Sequence, residues 1–214
     1  RATDGRAKPR AQIHVLDGAT GDAVDAGHWK ELSQSLPIDI NVIGPRDADD
    51  VMASISQELA RRQQEDDILA DPIYVFVINL SRFRSFRRTD DEFSFGSDDK
   101  PPGADKHFSE LLREGPPLGI HAILWSDNYS NVERWLPRRA LHDLEMRVVF
   151  QMGSTDSSQL LDSPIAAKLG AHRGLLYLEE AGGMEKFRPY NPPSSEWLAD
   201  IARLLQQPTN SPQP

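Results

Sequence analysis

Residues 73–80 read Ile-Tyr-Val-Phe-Val-Ile-Asn-Leu, a continuous apolar run of β-branched and aromatic residues. A strand exposed on one face alternates polar and apolar residues. An uninterrupted run of this length is expected where both faces are covered, at the centre of a parallel sheet. Working outward, Asp47 to Gln64 carries acidic residues at its start and apolar residues at Val51, Met52, Ile55 and Leu59. Arg61 and Arg62 stand near its end, the charge order that suits a helix dipole. Short apolar runs at 11–16 (AQIHVL), 38–44 (IDINVIG), 119–126 (GIHAILWS), 146–152 (MRVVFQM) and 174–179 (GLLYLE) read as further strands, those at 119–126 and 146–152 as central ones. Helices are expected at 28–36, stopped by Pro37, and at 107–113, 128–135 and 197–206, with helical turns at 156–161 and 165–169. Strands alternating with helices predict an α/β fold with a largely parallel sheet flanked by helices.

Polar segments frame this core. Residues 1–10 read as a linker or tail, 82–106 as a long polar surface loop, and 207–214 (QPTNSPQP) as a disordered tail. The 214 residues include 24 Lys+Arg against 33 Asp+Glu, a formal charge of -9, so nucleic acid would have to be held by a local basic segment. Cysteine is absent, which removes disulfides, thiolate metal sites and cysteine nucleophiles together. No apolar run approaches the ~20 residues of a membrane span, and no signal peptide is visible, so the expected setting is a soluble, intracellular one. The first residue is Arg1 rather than Met, which suggests a piece of a longer protein. The six histidines are scattered without metal-ligand spacing, and no G-x-S-x-G is present, so neither a metal site nor a serine hydrolase is expected. His121, within a strand, reads as a hydrogen-bonded core residue.

The tail of the chain carries a more specific pattern. GIHAILWSD is followed by a helix, then MRVVFQMGSTDSSQLLD, then AAKLGAHRGLLYL. His121 after Gly119-Ile120, the pair Leu161-Asp162, and Lys168-Leu169-Gly170 with Gly174 stand in the order seen in FtsK/SpoIIIE-type DNA-translocating ATPases. These belong to the HerA/FtsK group of P-loop ATPases. The resemblance covers about residues 11–190 and corresponds to the C-terminal portion of such a domain. It implies a RecA-like P-loop NTPase core, here lacking its N-terminal phosphate-loop portion. It also implies ATP and Mg²⁺ as cofactors of the full protein, and a ring or tandem array of ATPase domains. The cargo would be DNA or polypeptide, in a bacterial cytoplasmic setting or in association with a membrane.

Several residues such chemistry requires are replaced or missing. G-x-x-x-x-G-K-[ST], whose backbone amides and Lys cradle phosphates, does not occur, and the Gly18/Gly21/Gly27 cluster lacks a following Lys-Ser/Thr. By the resemblance, Ile73 to Leu80 takes the place of the Walker B strand. There, an Asp supporting Mg²⁺ and a Glu polarising water are replaced by Asn79 and Leu80. Asn79 can accept a hydrogen bond but carries no charge for a metal, and it reads equally as the polar cap of an inert strand. Asp127 falls at the position of the γ-phosphate sensor, where a carboxylate is electrostatically unfavourable. It reads also as a cap for the helix that follows. Arg147 matches an arginine that reaches a neighbouring subunit's nucleotide, with pairing to Glu145 or Asp143 as the alternative. Arg173, in the turn before the last strand, is a second candidate for that reach.

Finally, Ser81 to Arg88 packs Arg82, Arg84, Arg87 and Arg88 with Phe83 and Phe86 directly after this strand. Arginine interleaved with aromatics can grip a phosphate backbone. The same spacing suits a solvated face with the two phenylalanines turned inward, and acidic residues follow at once. Two readings result. One is a portion of an ATP-binding translocase motor, degenerate at Walker B. The other is a non-enzymatic pseudo-ATPase domain acting in oligomer assembly or partner binding.

Overall fold

The computed structural model describes residues 11–23, 26–87, 102–136 and 138–206. Four parallel strands form the main sheet: β1 (Gln12–Asp17), β2 (Ile40–Ile43), β3 (Ile73–Ile78) and β4 (Ile120–Leu124), in the order β2-β1-β3-β4. Each crossover carries a helix: α1 (His28–Ser35), α2 (Ala48–Glu65) and α3 (Ala104–Glu114). The run at 73–80 therefore lies inside a parallel sheet, paired with β1 on one side and β4 on the other.

The two faces of that sheet are covered unequally. Ile73, Val75 and Val77 of β3 are buried with Met52, Ile55 and Leu59 of α2 and Phe108, Leu111 and Leu112 of α3. Tyr74, Phe76 and Ile78, on the opposite face, are only partly buried. There Trp29 of α1 meets Phe76, ring centroids 5.6 Å apart, and Tyr74 stacks on His121 at 5.5 Å. The helix α1 has no fully buried residue and contacts α6 (Ser195–Gln206). Among the described residues α1, through Trp29, covers part of a face that the apolar run expects to be fully buried.

Arg62, at the end of α2, is 2% exposed. Its Nε donates to Glu58 Oε1 at 2.8 Å, Nη1 to the Leu118 carbonyl and Nη2 to the Asp71 carbonyl, each also at 2.8 Å. One guanidinium so ties the helix to the loops that enter β3 and β4. Beside it Arg61 bridges Glu58 and Asp67, and Glu58 is held well below the usual carboxylate range, to about 2, chiefly by the hydrogen bond from Arg61.

The structure departs from the sequence reading in three places. Residues 146–152 do not form a central parallel strand: β5 (Met146–Val149) is the edge of a separate antiparallel sheet, β5-β6-β7, with β6 (Gly174–Leu178) and β7 (Gly183–Phe187). Its one buried face, Val149, Leu175 and Tyr177, packs on Leu161 of α5 (Ser154–Leu161), Ala166 and Leu169. Met146 and Val148 lie on the other face, 65% and 52% exposed. The strand β7 was not expected, because GMEKF lacks an apolar period and pairs through its backbone. Third, the polar segment after β3 is not simply a loop. Residues 80–86 make two 3-10 turns, and α3 begins at Ala104, three residues before the expected helix. Residues 88–101, which hold Arg88 and the acidic clusters, lie outside the described residues, as do the expected tails at 1–10 and 207–214.

Candidate functional site

In an open parallel sheet the carboxyl ends of the strands converge on one edge, where ligands of such folds bind. Here that edge is made by Asp17-Gly18 after β1, Asn79 after β3, and Trp125-Ser126-Asp127 after β4. The ends are cross-tied by backbone hydrogen bonds, Gly18 N to Ile78 O at 3.0 Å, Trp125 N to Val77 O at 2.9 Å and Leu80 N to Trp125 O at 3.0 Å. Gly18 is required by space: a Cβ there would sit 2.5 Å from the Ile78 carbonyl oxygen. Asp17 Oδ1 accepts from Ala19 N at 3.0 Å, turning the chain out of β1.

Asn79 adopts the left-handed conformation, φ 60° and ψ 68°, which is uncommon outside glycine and tolerated best by Asn and Asp. Its Oδ1 accepts from Ser81 Oγ at 2.8 Å. The side chain thus closes the turn into the 3-10 segment, and Leu80, 1% exposed, belongs to the core. Asp127 Oδ1 accepts from Asn131 Nδ2 at 2.7 Å, while Asn128 Oδ1 caps α4 (Tyr129–Trp135) by accepting from Asn131 N at 2.9 Å. The cap of that helix is therefore Asn128, with Asp127 as its brace.

Arg147 stands apart from this edge, in the second sheet. It is 12% exposed in its side chain; Nη1 donates to the Leu160 carbonyl at 2.8 Å, Nη2 to the Leu141 carbonyl at 2.6 Å, and the head pairs with Glu179. Its guanidinium also lies over the Tyr177 ring at 5.4 Å. The partner is Glu179 of β6's end rather than Glu145 or Asp143, because antiparallel pairing sets Arg147 opposite Tyr177 and brings that end alongside. Glu179 is kept below its ordinary pKa, first by its hydrogen bond with His142. Arg173 Nη1 is a buried atom without a hydrogen-bond partner.

The arginine segment has a sharply divided structure. Phe83 and Phe86 are each 1% exposed, stacked on one another at 5.4 Å, and Phe86 stacks on Phe108 at 5.1 Å. Trp135 Nε1 donates to the Phe83 carbonyl at 2.8 Å. Arg82, Arg84 and Arg87 are exposed, with Arg87 over the Trp135 ring at 5.9 Å. The phenylalanines turn inward and the arginines outward, which leaves the arginine heads free for solvent or for a phosphate backbone alike.

The strand ends do not fit a Mg²⁺–nucleotide pair. The β3 end offers an uncharged amide already bonded to Ser81, the next residue is buried leucine, and no cluster of three metal-ligating side chains occurs among the described residues. Asn79 and Asp127 share the strand-end edge, and Arg82 reaches it too, its Cβ 3.0 Å from where a Cβ on Gly18 would sit, whereas Arg147 belongs to the second sheet. A further feature, which sequence reasoning missed, is a cavity of about 480 Å³ between α1 and the start of α6. His28, Trp29, Glu31, Leu32, Pro192, Pro193, Ser194, Ser195 and Leu198 line it. Its walls come from segments over 150 residues apart in sequence, so no local pattern announces it.

No protein-family profile matches the chain, and no curated protein matches it. Solved structures do match. The chain is similar to EccC of Thermomonospora curvata (ATPases 2 and 3, in complex with a signal sequence peptide), with TM-score 0.60 and 19% identity over 91% of this chain. The cytoplasmic domain of the same Type VII secretion ATPase gives TM-score 0.59 and 19% identity over 96% of this chain. The DNA-packaging ATPase of Sulfolobus turreted icosahedral virus gives 0.54 and 13%, covering 85% of this chain and 84% of its own. The chain spans only 36% and 25% of the two EccC chains. At these identities the likeness concerns architecture: the chain shares the α/β fold of these ATPase domains.

Proposed function

We propose that this chain is a portion of a translocase-type ATPase domain that serves as scaffold and cargo-facing surface, with no hydrolytic group of its own. The observation that carries this reading is the state of the strand-end edge. The chain shares its fold with solved ATPase domains, yet Asn79 is spent on Ser81, Leu80 is buried and Asp127 braces Asn131. The phosphate loop is supplied in this proposal by another segment of polypeptide. Support comes from β4, which among the described residues is paired only with β3 and leaves Ile123 and Trp125 at 40% and 49% exposure. ATP and Mg²⁺ then belong to the assembled protein, a ring or a tandem array. The solved relatives include a secretion ATPase and a DNA-packaging ATPase, so both cargo classes occur on this fold. The charge of -9 favours polypeptide over duplex DNA.

The second reading, a pseudo-ATPase in oligomer assembly, is favoured by Arg147, whose head is engaged within its own chain by the Leu160 and Leu141 carbonyls. Calorimetric titration of Mg-ATP into this chain, and into a longer form of the protein, separates the two. Micromolar binding by the longer form supports the translocase portion. No heat from either form supports the assembly domain.

A further inference from the structure

From the cavity between α1 and α6 we infer a docking site for an apolar segment of a partner polypeptide that carries a lysine or arginine. This goes beyond the proposed ATPase-domain role and does not depend on nucleotide. The cavity, about 480 Å³, lies within the range of binding pockets and is walled by Trp29, Leu32, Leu198, Pro192 and Pro193. Its floor is firm: Trp29 packs on Phe76 of the central strand, and Leu198 is 8% exposed.

Two features select the class of occupant. A small polar metabolite would need several convergent hydrogen-bonding groups to fix it. Of those here, Ser194 Oγ already accepts from Trp197 N at 3.2 Å, capping α6. A peptide needs fewer, because two or three aliphatic side chains supply most of the buried area. Second, Glu31 is the one carboxylate lining the cavity, with no Lys or Arg among the lining residues, and it is exposed without an ion pair among the described residues. A cation on the occupant complements it, and an acidic occupant is repelled.

The test uses fluorescein-labelled synthetic peptides of one design, two leucines four positions apart, with Lys, Ser or Glu between them. Anisotropy is read with the whole chain and without nucleotide. The Lys peptide is expected to bind saturably and the Glu peptide about tenfold more weakly, the size of one charge contact near a surface. Glu31→Lys, an exposed change that leaves the fold intact, is expected to reverse that order, and Leu32→Asp to abolish binding of all three. The proposal fails if the Lys peptide shows no saturation at about 1 mM. It fails equally if binding is indifferent to both substitutions. Because the readout omits ATP, a negative result here leaves the ATPase-domain reading standing, and a failure of ATP binding leaves the peptide site standing.

Discussion

Arg62 shows how much one side chain can organise. Its three donors reach Glu58, Leu118 O and Asp71 O from a position 2% exposed. Arg62→Ala leaves two carbonyls without their donor and is expected to cost about 3 kcal/mol, measured as a lower urea midpoint. Its partner Glu58 carries a pH signature. The folded-state pKa is depressed to about 2 from 4.5, so its contribution is present above 4.5 and is lost as pH falls toward 2. Glu58→Gln is expected to flatten the fall of stability across that window; an unchanged acid-unfolding curve would discount the ion pair. The sequence reading placed Arg61 and Arg62 near a helix end, where the dipole favours them. It could not distinguish the surface arginine from the buried one, since that depends on which loops arrive opposite.

Among elements, the segment after β3 and the second sheet each repay a measurement. Phe86 joins Phe83 and Phe108 in one aromatic stack. Phe86→Ala is expected to lose about 3–4 kcal/mol by opening a cavity there. Replacing Arg82, Arg84 and Arg87 together by serine, along with Arg88, is expected to leave the thermal midpoint nearly unchanged. Loss of cooperative unfolding in that variant would place the arginines in the folding core. Arg147 ties β5 to Leu141, Leu160 and Glu179. Arg147→Ala should therefore lower the thermal midpoint of the isolated chain. A midpoint unaffected by that change would return Arg147 to a role outside its own subunit.

For the whole molecule, the expectation is that this chain by itself releases no phosphate from ATP. A steady rate abolished by Asp127→Ala would overturn it. The parallel sheet was legible in the sequence because short apolar runs alternate with helical periods, a local pattern that needs no knowledge of partners. The missing phosphate motif and the neutral residues at Asn79 and Leu80 were equally legible, since chemistry follows from residue type. The pattern could not assign 146–152 to its sheet. Apolar β-branched residues suit a buried central strand and the edge of a half-exposed one alike, and the choice rests with the neighbours the chain folds against. The unequal covering of the main sheet, the engagement of Arg147 by Glu179, and the cavity between α1 and α6 have the same origin. Residue type and local spacing determined what the elements are and which groups they carry. Tertiary structure alone decided which of those groups are satisfied internally and which remain available, because burial and pairing join residues far apart in the chain.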